Sequence, residues 1–368
     1  MLSKQVALGR PRTSVLFDAH QLGRRQTGNE TYVRELLRAL RARDDLDLVA
    51  AVEAGQLPTG LLGSPVRTRR VPSNGVGRLV ALSAIARRER ADLVHAIYFL
   101  PPRTGRPTIV TVHDVSFELY PEFFSRRALL RDRFLIRASA RAATRVVTGS
   151  EAARQDLLRL YGLEPQRVVA IPYGVDPGFR PSDEAWAPYA GDRPLRVLAV
   201  GTLQPRKNLL RLLDALAIVG RDIPVELRVV GPDGHQAAEI RAYLAASVRT
   251  EVVGWMGDEE LASAYRRADV FAYPSIYEGF GLPVIEAMAS GTPVVTSTGG
   301  SIPEVAGDAA LLVDPFDTAA LAAAIRRVVE DASVARGLRE RGLARASTFT
   351  WERSAALHAN LYREVVGR

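Results

Sequence analysis

Short apolar runs alternate with longer stretches of helical period through the first 180 residues of the chain. Runs of this kind are typical of strands that are buried on both faces of a parallel sheet. Strands are predicted at residues 14–18, 47–52, 93–96, 108–113, 145–148 and 168–171, and helices at residues 30–42, 80–90, 126–143 and 151–161. The alternation predicts an α/β unit in which helices cover a parallel sheet.

The same pattern starts again after residues 176–194, DPGFRPSDEAWAPYAGDRP, which are crowded with proline and glycine and have no period. Such a composition is typical of a linker. The apolar runs beyond it are LRVLAVG, VELRVVG, TEVVGW, VFAYPS, PVVTS and AALLV, and the chain closes with helices rich in alanine and arginine. We expect two tandem Rossmann-like, doubly wound domains, at residues 1–180 and 181–350, that bind ligands in a cleft between the carboxyl ends of their strands.

Length and composition fit this interpretation. A chain of 368 residues suits two domains, and 47% hydrophobic with 24% charged residues is typical of a globular protein. The absence of cysteine excludes disulfide bonds, thiolate catalysis and cysteine-ligated zinc. No segment resembles a signal peptide, and no apolar run reaches the roughly 18 residues of a membrane span. We expect a soluble, cytoplasmic protein.

The net charge of +8 is divided unevenly along the chain. Residues 1–180 contain 29 Lys and Arg against 17 Asp and Glu, a balance of +12, and residues 181–368 contain 20 against 24, a balance of −4. A basic half fits anionic lipid, a phosphorylated acceptor or nucleic acid, and it equally fits arginine-rich helix faces that only meet water.

Residues 273–295, YPSIYEGFGLPVIEAMASGTPVV, carry the strongest chemical signal. Glu278 follows a strand, a glycine-rich loop comes next, and Pro283 stands where a helix should begin, a position that favours proline. Free N–H groups of such a loop and helix start form an anion or phosphate site. Glu278 and Glu286 are placed to bracket a sugar nucleotide; the alternative is a loop cap at Glu278 and an exposed helix residue at Glu286.

Other nucleotide and metal motifs are missing from the sequence. No G-x-G-x-x-G fingerprint follows the first strand of either domain, and neither a G-x-x-x-x-G-K-[ST] loop nor a nucleophile elbow occurs. The triplet Asp45-Leu46-Asp47 lies where a helix ends and a strand begins, the wrong end of that strand for a ligand. We therefore predict no metal site.

The segment GTLQPRKNLLRLLDAL, from residue 201, contains an unusual lysine. Of the 49 basic residues 47 are arginine, and the two lysines are Lys4 and Lys207. A lysine beside Arg206, in a chain that otherwise uses arginine, indicates that the two cations have different tasks.

The window E-G-F-G-L-P-x-x-E-A-M-A-x-G-x-P-V-V resembles the E-x7-E signature of family 4 retaining glycosyltransferases, which have the GT-B fold. Glu278 and Glu286 form the pair. The segments VGTLQPRKNLLRLLDAL, GWMGDEELASAYRRADVFAYPS and GGSIPEVAGDAALLVDP resemble the same family in order and spacing. The first domain resembles it more loosely, through TGNETYVRELLRAL, TIVTVHDVSF, VVTGSEAARQDL and IPYGVD.

The resemblance implies roles for residues of the second domain. Arg206 and Lys207 would hold the donor diphosphate as its charge grows on departure. Glu286 would accept hydrogen bonds from the ribose hydroxyls, and Glu278 would face the donor sugar. The sugar, phosphates and base would lie along Gly201, Gly254, Trp255, Phe280, Gly281 and Leu282.

In the first domain, the resemblance places His113 at a strand end beside the transferred sugar, with Asp114 next to it. Gly28, in the loop after the first strand, would approach the donor phosphates; the family commonly has two glycines there, and this chain has Gly28-Asn29. Residues 351–368 would form a helix that returns to the first domain, as in this fold generally.

The implied activity is a retaining, metal-independent transfer of a hexose from a nucleoside-diphosphate sugar, with GDP-mannose as the expected donor, to a glycan or lipid-linked acceptor in polysaccharide biosynthesis. No cofactor and no nucleic acid partner are expected. Retention of configuration requires either a covalent intermediate on a carboxylate or attack on the same face of the sugar from which the leaving group departs. We favour this same-face displacement. The alternatives are a sugar-nucleotide-binding protein without turnover and an epimerase of the same fold.

The helix predicted within SRRALLRDRFLIRASARAAT combines arginines with apolar side chains. It would lie against an anionic membrane at the inner face and present a lipid-linked acceptor, unless it is a core helix with a solvated arginine face. Its arginines are Arg127, Arg131 and Arg133, and its apolar residues are Leu130, Phe134 and Leu135. The residues predicted to contact the acceptor are Arg24, Arg25, Tyr98 and Phe99.

Overall fold

The first half of the chain folds around one parallel sheet. The computed structural model describes residues 12–24, 28–53, 66–245 and 248–367. The elements of the first half are β1 (Thr13–Asp18), α1 (Gly28–Leu40), β2 (Leu46–Glu53), β3 (Arg67–Val71), α2 (Gly75–Arg88), β4 (Leu93–Ile97), β5 (Thr108–Thr111), α3 (Ser116–Leu119), α4 (Arg126–Ala142), β6 (Arg145–Thr148), α5 (Glu151–Tyr161) and β7 (Val168–Ala170).

The second half folds around another parallel sheet. Its elements are β8 (Leu195–Val200), α6 (Leu209–Val219), β9 (Val225–Val230), α7 (Ala237–Ala245), β10 (Arg249–Val253), α8 (Asp258–Arg267), β11 (Val270–Tyr273), α9 (Leu282–Ala289), β12 (Val294–Ser297), α10 (Ile302–Ala306), β13 (Leu311–Val313), α11 (Thr318–Glu330), α12 (Ala332–Ala346) and α13 (Trp351–Val366).

The strand order reverses in the middle of each sheet. The orders are β3-β2-β1-β4-β5-β6-β7 and β10-β9-β8-β11-β12-β13. The reversal lies between β1 and β4 in the first sheet and between β8 and β11 in the second, and it opens a crevice at the carboxyl ends of the strands. The predicted α/β fold with two doubly wound sheets is confirmed.

The central strands are buried on both faces, which explains their continuous apolar sequences. Val15 and Phe17 of β1 pack in one core with α1 and α13, whereas Leu16 packs on the other face against α2. In the second sheet Val197 and Leu198 of β8 likewise point into different cores. No strand or α-helix lies between β7 and β8, as the composition of the predicted linker indicates.

Two elements differ from the sequence prediction. Strand β3, RTRRV, was not predicted because it is an edge strand. Its side chains are mostly arginine, and every second one is exposed to water near its start. Helix α2 begins at Gly75, five residues before the predicted start, since the side chain of Asn74 accepts a hydrogen bond from Gly77 N at 2.6 Å.

The last helix, α13, packs against α1, β1 and β4 of the first sheet. Polar side chains tie it there: Tyr362 and His358 of α13 bond to His95 and Tyr32 at 2.7 and 3.0 Å. The chain thus crosses back from the second sheet to the first, and α13 connects the two halves of the molecule.

Candidate active site

The loop after β8 presents two cations to the cleft. Residues Pro205–Lys207 form a short 3₁₀ helix, and Asn208 ends it in the left-handed conformation, with φ of 59°. The Asn208 amide donates to the carbonyls of Pro274 and Pro315, at 3.0 and 2.6 Å, which joins this loop to the end of β11. Because Asn208 anchors the turn, Arg206 and Lys207 are held in place before any ligand binds.

Glu278 forms ion pairs with both Arg206 and Lys207. Its Oε2 pairs with Arg206 Nη1 at 3.0 Å, and its Oε1 accepts from Lys207 Nζ at 2.7 Å. Tyr273 also donates to Oε1, at 3.0 Å, and Ser275 donates to the same oxygen. Both carboxylate oxygens are therefore committed to protein partners.

The charges of this cluster are stabilised mutually. Burial alone would raise the pKa of Glu278, but Arg206 and Lys207 lower it to about 2, so the carboxylate is ionised. Burial lowers the pKa of Lys207, against the opposing effect of Glu278. Arg206 Nε is buried and has no hydrogen-bond acceptor among the described residues. The cluster holds two cations, one anion and an unused N–H group.

Helix α9 begins at the cleft, and among the described residues no side chain caps its first N–H groups. Gly281 is the N-cap in a left-handed conformation, with φ of 96°, and Pro283 stands in the first turn. A Cβ at Gly279 would lie 2.2 Å from the carbonyl oxygen of His113, so the loop approaches the first domain closely. This geometry suits an anion between the two sheets.

Glu286 is buried, so its interpretation as an ordinary exposed helix residue is wrong. Its Oε2 accepts a hydrogen bond from Tyr265 at 3.0 Å. Burial raises the pKa of Glu286 to about 7, a shift that Tyr265 opposes and Asp258 reinforces. A carboxyl with this pKa is poised to ionise when donors such as hydroxyl groups arrive.

His113 and Asp114 follow β5 and face the loop of Glu278. His113 Nδ1 is 2.6 Å from the Tyr173 hydroxyl, and burial lowers the pKa of His113 to about 4. Asp114 Oδ1 accepts from the backbone N–H and the hydroxyl of Ser116, the first residue of α3, at 2.9 and 2.7 Å. His113 is therefore neutral, and Asp114 has one oxygen in use.

A cleft of about 770 Å³ between the two sheets collects most of the candidate residues. Gly254 is absent from its lining, and Arg25 lies outside the described residues. Gly28 is the first residue of α1, not part of a loop, and stands opposite Leu282. The candidates that line the cleft are Arg24, Gly28, Tyr98, Phe99, His113, Asp114, Gly201, Arg206, Lys207, Trp255, Glu278, Phe280, Gly281, Leu282 and Glu286.

Three of the residues predicted to contact the acceptor, Arg24, Tyr98 and Phe99, lie at the first-domain side of this cleft. Arg24 forms an ion pair with Glu53, at the end of β2. Tyr98 has a positive φ of 60° and packs edge-on against the His113 ring, with ring centroids 5.4 Å apart. Tyr98 thus forms part of the wall behind His113.

Sequence reasoning missed four hydroxyl groups that hold the titratable residues of the site. Tyr273 and Ser275 bind Glu278, Tyr265 binds Glu286, and Tyr173 binds His113. Tyr273 and Ser275 stand inside the window already singled out, at the end of the predicted run VFAYPS, and that position was the available signal. Tyr265 comes from α8, and no local pattern connects it with Glu286.

Comparisons with known proteins place this cleft in a family. The model of Glycosyltransferase Family 4 matches residues 27–179, and that of Glycosyl transferases group 1 matches residues 186–345. O-antigen chain mannosyltransferase B of Escherichia coli is 32% identical over 287 residues, 72% of each chain. The chain is a family 4 glycosyltransferase. A second relative of this glycosyltransferase, the MMP alpha-(1->4)-mannosyltransferase of Mycolicibacterium hassiacum, is 32% identical and covers 72% of the chain and 67% of its own.

Solved structures give the same fold for the glycosyltransferase. Sucrose-phosphate synthase from Thermosynechococcus elongatus superposes with a TM-score of 0.80 at 26% identity, over 97% of this chain and 100% of its own. Alr3699/HepE from Anabaena, solved with UDP and glucose, has a TM-score of 0.74 at 20% identity, over 96% of this chain and 100% of its own. The two sheets and their cleft are the GT-B fold.

The described ranges of the glycosyltransferase contain no membrane-spanning helix and no cluster of metal ligands. None of the helices in those ranges is long and apolar enough to cross a bilayer. No three His, Asp or Glu side chains in the same ranges are grouped as metal ligands would be.

Proposed function

We propose that this glycosyltransferase transfers a hexose, mannose, from GDP-mannose to a glycan or lipid-linked acceptor in polysaccharide biosynthesis, with retention of configuration and without a metal ion. The pairing of Arg206 and Lys207 on Glu278, beside the uncapped start of α9, is the observation that carries the proposal. The relatives named as mannosyltransferases support mannose as the transferred sugar.

The charge of the donor diphosphate matches this part of the cleft. Arg206 keeps a buried Nε without an acceptor among the described residues, and Lys207 lines the same cleft beside it. The N-terminus of α9 adds partial positive charge. These groups offset the charge that develops on the leaving nucleoside diphosphate, which is the task a divalent cation performs in other transferases.

Same-face displacement fits the carboxylates of the cleft better than a covalent intermediate does. Both oxygens of Glu278 accept hydrogen bonds or ion pairs from protein groups, which weakens it as a nucleophile. One oxygen of Asp114 accepts hydrogen bonds from Ser116. In the proposed step the bond from the anomeric carbon to the diphosphate oxygen breaks, the acceptor oxygen bonds to that carbon from the same face, and the acceptor proton passes to the departing diphosphate.

Glu286 completes the proposed donor site. Its buried carboxyl accepts from Tyr265 and keeps Oε1 for hydroxyl groups of the donor ribose. Trp255, about half exposed at the end of β10, lies where the base would pack. The first domain, with Arg24, Tyr98 and Phe99, receives the acceptor in this proposal.

We further propose that the protein acts at the cytoplasmic face of the inner membrane. Helix α4 presents Leu130 and Phe134 to water, with 71% and 74% of their surfaces exposed, next to the exposed Arg131. The side chain of Arg127 lies outside the described residues. A basic face with exposed apolar residues fits an anionic lipid surface that carries a lipid-linked acceptor.

A panel of sugar nucleotides tests the function. We expect release of nucleoside diphosphate from GDP-mannose in the presence of acceptor, and an α-linked product by NMR of the anomeric proton. A β-linked product would overturn retention, and loss of activity with EDTA that added Mg²⁺ restores would overturn metal independence. Binding of a sugar nucleotide without release indicates a binding protein, and isomerised sugar nucleotide indicates an epimerase.

Two arginine variants make the panel specific for the cleft. Arg206→Met should abolish release, because it leaves Glu278 with one cation and removes a diphosphate contact. Arg249→Met is the matched control, since that side chain is 81% exposed on β10 and pairs with Glu226. Equal loss in both variants would argue against a diphosphate site at Arg206.

A further inference from the structure

Tyr173 is buried beside the site histidine, and the proposed reaction assigns it no role. It lies in the segment IPYGVD after β7, and its hydroxyl oxygen is 2.6 Å from His113 Nδ1. Gly149 makes room for the phenol ring, because a Cβ there would lie 2.8 Å from Tyr173 Cζ. The ring also packs on Phe280 of the donor loop, with centroids 4.7 Å apart. Tyr173 therefore contacts both sides of the cleft.

The direction of the hydrogen bond follows from proton counting. Among the described residues, His113 Nδ1 is the one hydrogen-bond partner of the Tyr173 hydroxyl. Burial raises the pKa of Tyr173 well above its usual range and lowers that of His113 to about 4, so the phenol keeps its proton and the imidazole is neutral. If Nδ1 carried the imidazole proton, the phenol proton would be buried without an acceptor. The phenol therefore donates, Nδ1 accepts, and the imidazole proton is on Nε2.

His113 Nε2 is buried and has no partner among the described residues, although the ring lines the cleft. The edge-on rings of Tyr32 and Tyr98, at 4.8 and 5.4 Å between centroids, hold the imidazole in this orientation. A buried N–H group that protein atoms leave unpaired takes its acceptor from a ligand or from water.

We propose that Tyr173 is a positioning residue that fixes the Nε2–H tautomer of His113, so that His113 donates a hydrogen bond to a hydroxyl oxygen of the transferred sugar. The inference rests on the proposed function for the identity of that ligand. It does not require turnover, because the tautomer is a property of the free protein.

This assignment separates two roles that a histidine beside a reacting sugar can have. A general base needs a free lone pair at the cleft, and in this arrangement the lone pair is on Nδ1, occupied by Tyr173. His113 therefore moves no proton in the reaction, and the acceptor proton passes to the departing diphosphate. The groups that face the ring are Tyr32, Tyr98, Tyr173 and Asp114.

NMR of protein labelled with ¹⁵N-histidine tests the tautomer directly. The full chain has five histidines, and His113→Gln identifies the signals of residue 113 by their disappearance. We expect the His113 Nδ1 resonance in the unprotonated range and Nε2 in the protonated range throughout pH 5 to 8. In Tyr173→Phe the Nδ1 signal should shift, because its hydrogen-bond donor is gone. A protonated Nδ1 in the unaltered protein would overturn the inference.

Steady-state kinetics test the effect of Tyr173 on catalysis, with the sugar nucleotide that the panel identifies as donor. Tyr173→Phe should lower kcat roughly tenfold, with a smaller change in KM, as for other partners that orient a site imidazole. The matched control is Tyr161→Phe, which removes a buried phenol oxygen that has no hydrogen-bond partner among the described residues and lies outside the cleft. Its kcat should not change.

A double-mutant cycle distinguishes positioning from packing. Because Tyr173 acts through His113, Tyr173→Phe should have no further effect on kcat in a His113→Gln background. An additive loss would reduce Tyr173 to a packing residue and overturn the inference. Failure of every sugar nucleotide to react, with Nε2 protonated in the NMR experiment, would remove the proposed function and leave the tautomer assignment in place.

Discussion

Lys207 lies in a space that an arginine would not fill in the same way. Its stem passes Gly201, where a Cβ would be 3.1 Å from Lys207 Cε, and its ammonium reaches Tyr273 and Glu278 at 2.6 and 2.7 Å. The neighbouring Arg206 is held by the carbonyl of Tyr277 and by Glu278. Because Arg206 has a rigid planar fork and Lys207 a flexible stem, the two cations are suited to different contacts.

Lys207→Arg is expected to lower kcat by on the order of 10- to 100-fold while donor KM changes much less. The larger guanidinium keeps the charge but cannot follow the leaving diphosphate from the same position. Steady-state kinetics with Arg211→Lys as the control, a cation exchange on the adjacent helix α6, measures the effect. Unchanged kcat in Lys207→Arg would mean that its ammonium has no special task.

Glu286 gives donor binding a pH dependence. Since burial raises the pKa of its carboxyl to about 7, and ribose hydroxyls donate to the ionised form, affinity should rise as pH rises through 7. For such a group the ionised fraction grows about tenfold between pH 6 and pH 8, and Kd should fall by about that factor. Calorimetric titration with intact donor measures it, and Glu286→Gln should abolish the dependence. A Kd independent of pH in the unaltered protein would contradict this assignment.

The raised pKa of Glu286 also makes the stability of the folded protein depend on pH. The folded pKa of Glu286 lies above that of an exposed glutamate, so its contribution to stability is complete below about pH 4 and is lost as pH rises through 7. Glu278 behaves oppositely, because its lowered pKa makes its contribution complete at neutral pH and lost in acid. Donor affinity at Glu286 therefore improves in the pH range where its carboxyl destabilises the free protein.

Among the helices, α4 differs in the apolar surface that it leaves exposed. Leu130, Phe134 and Leu135 are exposed by 71, 74 and 40%, and the outer part of the helix also carries Arg131. The inner face, with Ile136 and Ala140, is part of the core on β5 and β6. The exposed face of such a helix either binds a lipid surface or has no partner beyond the sheet on which the helix packs.

Co-sedimentation with vesicles of increasing anionic lipid content tests α4. We expect binding at low salt that weakens as salt screens the arginines. The double variant Leu130→Ser and Phe134→Ser should bind markedly less. Phe316→Ser is the control, because Phe316 is 57% exposed in the second half of the chain. Absence of binding to strongly anionic vesicles at low salt would exclude a membrane role for α4.

The two halves of the molecule meet at the start of α5. Both carboxylate oxygens of Glu304, on α10, accept hydrogen bonds from the first N–H groups of α5, at Glu151 and Ala152, each at 3.0 Å. Ser150 accepts from Ala153 N and donates to the carbonyl of Gly279, next to Glu278. A residue of the second half therefore caps a helix of the first half, and the donor loop is held in register with His113.

Glu304→Ala should weaken this closed arrangement by on the order of 1 kcal/mol, the scale of a helix cap. Donor KM is then expected to rise about fivefold, if the donor binds only when both halves meet. Small-angle scattering should show a larger radius of gyration in the variant. Asp308→Ala is the control on the same segment, since Asp308 faces Arg341 of its own half. Equal KM and radius in both variants would mean that Glu304 does not hold the halves together.

The periodicity of this chain was sufficient to predict two parallel sheets, because strands buried on both faces are apolar without interruption and their helices keep one apolar stripe. The donor loop could also be predicted, since Glu278, the glycines, Pro283 and Glu286 lie within a few residues of one another. Strand β3 could not, because an arginine-rich edge strand has no apolar run to detect.

Tertiary structure alone decided which distant residues meet. The contact of His113 with Tyr173 spans 60 positions of sequence, that of Glu304 with Glu151 spans 153, and the buried state of Glu286 depends on Tyr265 from another helix. Local periodicity reports that a side chain is covered, but it does not report which side chain covers it. The sequence therefore determined the two sheets and the chemistry of one loop, whereas the packing of helices and loops on each sheet determined the protonation states and partners that this chemistry requires.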